Sequence, residues 1–122
     1  LQVVAALVAA MVHDTDHPGV MNGFLIATRH PLAVLYNHQS VLENHHIATA
    51  MALTSRPELD WLGPLAAEEQ AELRKALIEL VLATDVTTHI PFMKKFAEDA
   101  AAGSVTAMQA MAAMLKAADV SN

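Results

Sequence analysis

The spacing of apolar residues along this chain predicts a protein built of helices. The first twelve residues, LQVVAALVAAMV, are apolar on every side apart from Gln2, which predicts a helix buried on several faces. A buried strand is the alternative for this segment, because three of its first eight residues are valine. Its alanines and its length favour the helix.

The clearest helical pattern runs from 66 to 86, where acidic residues come first and Leu73, Leu77 and Leu80 recur at helical spacing. The other expected helices are short pieces at 20–26 and 32–36, a helix from a Ser40–Glu43 capping box to about Leu53, one over 91–102 ended by Gly103, and a last one from Ser104 or Thr106 to about Ala118. No window alternates like a strand for long. The predicted fold class is therefore all-α, with six or seven helices in one compact domain.

Turn-forming residues mark the connections between these helices. Asp14 or Asp16 is expected to cap the helix that follows, with Pro18 in its first turn. The loop over 54–64 contains Trp61, which we expect to fold back onto the core. The chain begins and ends close to helical patterns, so we expect a piece of a longer domain, incomplete at both ends.

Composition limits the chemistry that this domain can perform. The chain has 122 residues, of which 54% are hydrophobic, and no cysteine. Disulfides and thiolate metal sites are therefore excluded, and any metal must be held by histidines and carboxylates. The net charge of −6 argues against a nucleic-acid partner. The apolar run at the start is shorter than the roughly 20 residues that cross a membrane, so no membrane span is expected.

The strongest candidate for a site is the segment HDTDHPGVMN, from His13 to Asn22, which follows the first apolar run. Neighbouring residues on a helix point about 100° apart, so His13 and Asp14 can reach one site only near the end of a helix. A histidine beside an aspartate suits a divalent cation such as zinc, magnesium or manganese. The alternative is a capping aspartate beside a solvated histidine.

Other carboxylates are also candidates for the site, two of them because a purely structural role at a helix end would be unfavourable. Asp85 and Asp119 are expected at the C-terminal ends of helices, where a negative charge opposes the helix dipole. A cation near both would offset that cost. Glu43 completes the expected capping box with Ser40 or belongs to a site, and both remain open. Of His45 and His46, one is expected to face the core and the other the surface.

Four blocks along the chain carry a resemblance to a known family. HDTDHPGVMN, LYNHQSVLENHH, VLATDVTTH and MLKAADVSN occur in this order, and together they resemble the catalytic domain of class I cyclic-nucleotide phosphodiesterases, which belong to the HD-domain metallohydrolases. The resemblance covers 1–119 nearly continuously. It implies an all-helical HD-type domain of which 1–122 is the central part. The family's HNxxH block, which supplies a zinc ligand and the general-acid histidine, would precede Leu1, and the residues that grip the purine would follow Asn122.

The resemblance also implies the roles of individual residues. The metal ligands would be His13, Asp14 and Asp119 at a zinc-type site, with Asp14 reaching a second metal, magnesium or manganese. The catalytic residues around the metals would be His17, Glu43 and Asp85, supported by Asn22 and Thr84, and Asn122 would border the nucleotide. The implied reaction is hydrolysis of a 3′,5′-cyclic nucleotide to a 5′-monophosphate by a hydroxide that two metals activate.

The implied partners are the substrate, cAMP or cGMP, and regulatory domains elsewhere in a parent chain on the cytoplasmic side, soluble or attached to a membrane through other parts. His38 departs from the family, which usually has aspartate there, and this affects the hydrogen bonds expected of that loop. Two alternatives remain at this stage. One is another HD-domain phosphohydrolase, and the other is a catalytically inactive regulatory domain of the same fold.

Overall fold

The computed structural model describes residues 1–120, which form seven α-helices and two short 3-10 turns. The α-helices are α1 (Gln2–Val12), α2 (Asn22–Ala27), α3 (Pro31–Leu35), α4 (Val41–Leu53), α5 (Ala67–Leu82), α6 (His89–Ala101) and α7 (Ala107–Val120), and the 3-10 turns are Pro57–Leu59 and Val86–Thr88. No strand occurs among the described residues. The predicted all-α class is confirmed.

Helix α5 lies at the centre of the main core. Its buried side chains, Leu73, Leu77, Leu80 and Val81, recur at helical spacing and face α1, α4 and α7. Helix α1 turns Ala5 and Ala9 toward this core, and both are fully buried. Small side chains one turn apart let two helices approach closely. As a result, the C-terminal end of α1 is held beside α7.

A second, smaller group of buried residues joins α2, α3 and the start of α4. It consists of Leu25, Ala33, Val41 and Leu42, with Val20, Leu32 and Tyr36 packed against it. This group fixes the position of the loop between α3 and α4, which approaches the segment after α5. The two cores therefore position different parts of the site described below.

Helix α1 is less buried than its pattern predicts. Only one face of it meets the core, and Val3, Leu7 and Met11 on the other faces are exposed, Leu7 by 63%. An apolar pattern indicates that a helix tends to be buried, but it does not indicate how many neighbouring helices pack against it. The prediction of burial on several faces was therefore wrong for these residues.

The predicted capping box at the start of α4 is also wrong. Ser40 makes no capping hydrogen bond and has left-handed backbone angles (φ 40°, ψ 53°). Its hydroxyl and the carboxylate of Glu43 are instead engaged elsewhere in the fold. A reciprocal box does open α7, where the Gln109 N–H donates to Thr106 Oγ1 and the Thr106 N–H donates to Gln109 Oε1. Thr106 rather than Ser104 therefore begins the last helix.

Three smaller predictions were wrong as well. Neither Asp14 nor Asp16 caps a helix, because α2 begins only at Asn22, well after Pro18. Trp61 is 42% exposed, and its neighbour Leu62 fills the core instead. Helix α6 starts two residues before Pro91, since proline is tolerated in the first turn of a helix, where its missing N–H has no partner.

Within the described residues, no single helix is long and apolar enough to cross a membrane. Helix α5 and the segment Val86–Ala101 pass such a test only as a pair with an 82° bend.

Truncating a buried leucine should lower the free energy of unfolding more than truncating an exposed one. We expect Leu77→Ala to lower the free energy of unfolding by about 2–5 kcal/mol, because it removes a fully buried side chain and leaves a cavity. Leu7→Ala, on the exposed face of α1, should cost less than about 1 kcal/mol. Urea denaturation measures both. Equal losses would show that α5 is not at the centre of the core.

Candidate active site

His13 is the first residue after α1 and still has helical backbone angles. Its Nδ1 lies 2.9 Å from the carbonyl oxygen of Ala10, an atom that can only accept, so Nδ1 carries the ring proton. The Nε2 atom is then the metal-binding or acceptor nitrogen in the neutral ring. It lies 3.5 Å from Asp14 Oδ2 and 3.3 Å from Asp119 Oδ1. One hydrogen bond to the helix end therefore directs the histidine at two carboxylates.

Asp119 is brought to this point by the last turn of α7, which packs against α1. One ligand atom from each of His13, Asp14 and Asp119 lies within 4.8 Å of the others. An imidazole nitrogen with two carboxylate oxygens is a donor set that suits zinc or a harder divalent cation. The residues that the sequence predicts as metal ligands are thus adjacent, and their chemistry fits a metal.

A second group of possible ligands also includes Asp14. It consists of Asp14, His17 and His46, whose ligand atoms also lie within 4.8 Å of one another. Asp14 Oδ2 is the atom near His13, whereas Asp14 Oδ1 lies 4.0 Å from His46 Nε2. The Asp14 carboxylate therefore lies between two groups of ligands, one atom toward each.

His46 is the member of this group that the sequence did not identify as a site residue. Its side chain is 2% exposed, its Nδ1 donates to the Thr15 carbonyl oxygen at 2.7 Å, and its ring stacks on His17 at 5.4 Å. Burial lowers the pKa of His46, against an opposing effect of the Thr15 hydrogen bond. The ring is therefore favoured as neutral, with Nε2 free to accept. The signal available in the sequence was its spacing three residues after Glu43, on the same face of α4.

His45 takes the complementary position, as predicted for one member of the pair. It is partly exposed, and its Nε2 lies 2.8 Å from Asp16 Oδ2. This contact ties the turn after α1 to α4 beside His46. It holds the segment that carries Asp14 without using either ligand group.

Glu43 and Asn22 form a pair on one wall of the site. Asn22 Nδ2 donates to Glu43 Oε2 at 2.9 Å, and the Leu42 N–H donates to Asn22 Oδ1 at 2.8 Å. Asn22 thus provides the acceptor at the start of α4 that Ser40 was expected to provide, and it orients the Glu43 carboxylate. Together with His17 and Thr87, they line a cleft of about 260 Å³.

Asp85 is a buried carboxylate, 3% exposed, held by three hydrogen bonds. Its Oδ1 accepts from the Thr87 N–H and the Thr87 hydroxyl, both at 2.8 Å, and its Oδ2 accepts from the Ser40 hydroxyl at 2.7 Å. Burial alone would raise the pKa of Asp85, but the hydrogen bonds from Ser40 and Thr87 outweigh it, so the pKa is lowered. Asp85 therefore stays ionised at neutral pH.

Asp85 was singled out in the sequence for the wrong reason, although it adjoins the site through Thr87, which lines the cleft. Helix α5 ends at Leu82, and Asp85 begins the 3-10 turn Val86–Thr88, where its side chain accepts a backbone N–H. A carboxylate at that N-terminal end is favourable and does not oppose a helix dipole. Asp119 does lie in the last turn of α7, so its negative charge opposes the helix dipole, as the sequence predicted.

Three of the positions singled out in the sequence remain: Thr84, Asn122 and His38. Thr84 donates its hydroxyl to the Val81 carbonyl oxygen at 2.8 Å and, with Asp119 and Lys116, lines a cavity of about 540 Å³. Asn122 lies outside the described residues. His38, which departs from the family pattern, is exposed and has φ 61°, and its backbone N–H donates to the Ala33 carbonyl.

The lowered pKa of Asp85 should appear in the pH dependence of stability. A carboxylate with a lowered folded pKa contributes stability above its unfolded pKa and loses it as pH falls through the folded pKa. Asp85→Asn lacks that contribution at every pH. We therefore expect the stability gap between wild type and Asp85→Asn to be full at pH 7 and pH 5 and to narrow below about pH 4. Urea denaturation at pH 7, 5 and 3 measures it, and a gap that is constant with pH would contradict the prediction.

The sequence matches the family profile described as 3′5′-cyclic nucleotide phosphodiesterase over residues 1–122. A Caenorhabditis elegans protein named probable 3′,5′-cyclic phosphodiesterase pde-6 is 50% identical over 95 residues, which are 76% of this chain and 12% of that protein. A Homo sapiens protein named cGMP-inhibited 3′,5′-cyclic phosphodiesterase 3A is 52% identical over 97 residues, which are 79% of this chain and 8% of that protein. The chain therefore corresponds to a small part of these relatives.

A solved structure shows the same architecture. It is the phosphodiesterase domain of the RhoPDE fusion protein from the choanoflagellate Salpingoeca rosetta, 34% identical, with a TM-score of 0.91 over 98% of this chain and 40% of that one. The likeness of sequence and of fold thus extends over nearly all of the chain. This chain belongs to the 3′,5′-cyclic nucleotide phosphodiesterase family.

Proposed function

We propose that the protein hydrolyses 3′,5′-cyclic nucleotides to 5′-monophosphates at a centre of two divalent cations. Membership of the phosphodiesterase family supports the reaction and the use of divalent metal. The observation that carries the two-metal part is the Asp14 carboxylate, which has one oxygen toward His13 and the other toward His46. A pair of divalent cations held there would supply an activated water nucleophile and neutralise charge on the phosphoryl oxygens.

In this proposal His13, Asp14 and Asp119 would hold zinc, and Asp14 would also serve a second cation, magnesium or manganese. The nearness of the three residues supports the assignment, since their ligand atoms lie within 4.8 Å of one another. The Nδ1 proton of His13, donated to Ala10, keeps its Nε2 available as a ligand. Such a hydrogen bond to the non-ligating nitrogen is the usual way in which a protein orients a metal-binding histidine.

The residues beyond the ligands orient water and substrate. Asp85 is held as a carboxylate with acceptor capacity beyond its three hydrogen bonds, with which it would accept one more from a water. Glu43, oriented by Asn22, would do the same in the cleft that it lines. The Gly19 N–H donates to His17 Nδ1 at 2.9 Å, so in the neutral ring Nε2 carries the proton and can donate toward the cleft.

The proposal also concerns the protein that contains this chain. We infer that residues 1–122 are the central part of a catalytic domain on the cytoplasmic side. In that domain, the general acid that protonates the leaving 3′ oxygen and the groups that grip the purine lie outside 1–122. The share of the relatives that this chain spans supports its being part of a longer protein. The choice between cAMP and cGMP is then made by those outside groups.

Removing a proposed ligand should abolish hydrolysis. In the full-length protein we expect His13→Ala and Asp119→Asn each to lower kcat for cAMP and cGMP by more than about a hundredfold, because a lost ligand costs more than a lost orienting contact. Glu58→Gln, a change to an exposed carboxylate in the 3-10 turn Pro57–Leu59, should stay within about threefold of wild type. Near-normal turnover in either ligand variant would refute the assignment.

Chelation should remove both activity and stability. We expect EDTA to abolish hydrolysis, and zinc together with magnesium or manganese to restore it. At 100 times its dissociation constant a metal should add about 2.7 kcal/mol to the free energy of unfolding. Thermal unfolding and metal analysis measure these effects. A wild-type protein that holds no metal and hydrolyses neither nucleotide would favour a catalytically inactive regulatory domain.

A further inference from the structure

Lys116 is a buried cation beside the proposed metal site that the proposed mechanism does not use. It lies in α7, one turn before Asp119, and is 4% exposed. Its Nζ is 3.4 Å from the Asp85 carbonyl oxygen and 3.4 Å from Thr88 Oγ1. The same atom lies 5.5 Å from the centre of the Phe92 ring, at the start of α6. This single side chain therefore contacts the turn after α5 and the next helix.

Burying an ammonium group in this way needs a reason. Removing a charge from water costs several kcal/mol unless the group is well paired. Within the part of the chain that the structure describes, no carboxylate oxygen lies within 4.0 Å of Lys116 Nζ. Its two hydrogen bonds are longer than the usual 2.7–3.2 Å. The charge of Lys116 is favoured instead by the nearby carboxylates of Asp85, Asp119 and Glu43, although none of them pairs with it directly.

The contacts of Lys116 complete a set of bonds around one residue, Asp85. The carboxylate of Asp85 is held from one side by Ser40 and Thr87. Its carbonyl oxygen accepts from the Thr88 N–H at 3.1 Å, from the Thr88 hydroxyl at 2.7 Å and from Lys116 on the other side. Of these donors, Lys116 alone belongs to the helix that carries Asp119.

We propose that Lys116 is a positioning residue that fixes the turn from Asp85 to Thr88 against α7 and so sets Asp85 relative to Asp119. The two carboxylates come from different helical segments, and the other bonds of Asp85 link it only to its own turn and to the start of α4. Lys116 joins the two segments through the backbone carbonyl of Asp85 and does not bond to its carboxylate oxygens. The effect on catalysis rests on the proposed function, whereas the effect on the turn does not.

The test uses three variants of the full-length protein. Lys116→Met keeps the length and the apolar stem but removes the charge and the donors. Lys116→Arg keeps charge and donors. Lys75→Met removes an exposed lysine on α5 as a matched control. The measurements are amide hydrogen exchange at Thr87 and Thr88, whose N–H groups bond to Asp85, together with separate kcat and KM values.

We expect Lys116→Met to lower the exchange protection of Thr87 and Thr88 by at least about tenfold, since the turn loses its anchor. We expect kcat to fall by at least about tenfold with KM within about twofold of wild type, the pattern of an interaction needed in the transition state. Lys116→Arg should restore most of the exchange protection and most of kcat. Lys75→Met should change neither the exchange protection nor kcat.

Two results would overturn the proposal. Unchanged protection at Thr87 and Thr88 in Lys116→Met would show that the lysine does not hold the turn. Lost protection with unchanged kcat would show that the lysine holds the turn but does not position Asp85 for catalysis. If wild type itself failed to hydrolyse cyclic nucleotides, the proposed function would be wrong, and the exchange comparison alone would decide whether Lys116 fixes the turn.

Discussion

The site depends on the packing of α1 against α5 and α7. Ala5 and Ala9 allow α1 to lie close to the central helix, and this places the end of α1, with His13 and Asp14, beside the last turn of α7. Like charges such as Asp14 and Asp119 repel one another when they are brought together without a counter-charge. Buried apolar surface along the three helices supplies the free energy that holds them there. The ligand groups are therefore adjacent because of a hydrophobic core that contains none of them.

Neutral hydrogen-bond donors hold the carboxylate oxygens of Asp85 and Glu43, whereas the cation Lys116 reaches Asp85 only at its backbone carbonyl. Asp85 is held by two hydroxyls and a backbone N–H, and Glu43 is held by an amide. Donors of this kind fix direction while they leave the full negative charge on the carboxylate. A paired arginine or lysine would have neutralised it. The arrangement is the one expected of groups that must still attract a cation or bind water.

Strained backbone is concentrated in the loops that build the site. Asn37, His38 and Ser40, in the loop before α4, and Asp16, in the turn after α1, all have positive φ although none is glycine. Such angles cost about 1–3 kcal/mol per residue and persist where surrounding contacts enforce them. For Ser40 the enforcing contact is the bond to Asp85. Glycine supplies the same freedom without strain at Gly19, whose N–H reaches His17.

The sequence by itself determined the helices, the position of His13 and Asp14 at a helix end, and the family to which the four blocks belong. Helical periodicity depends on residues three and four apart, so α5 and α7 could be placed from local pattern alone. The tertiary structure decided which local signal was used: Ser40 has a capping sequence, yet its hydroxyl bonds to a carboxylate 45 positions away. It also decided that His46, and not His45, turns inward and that Lys116 is buried. These outcomes depend on distant partners, whose placement results from the packing of whole helices and is not contained in any short segment of sequence.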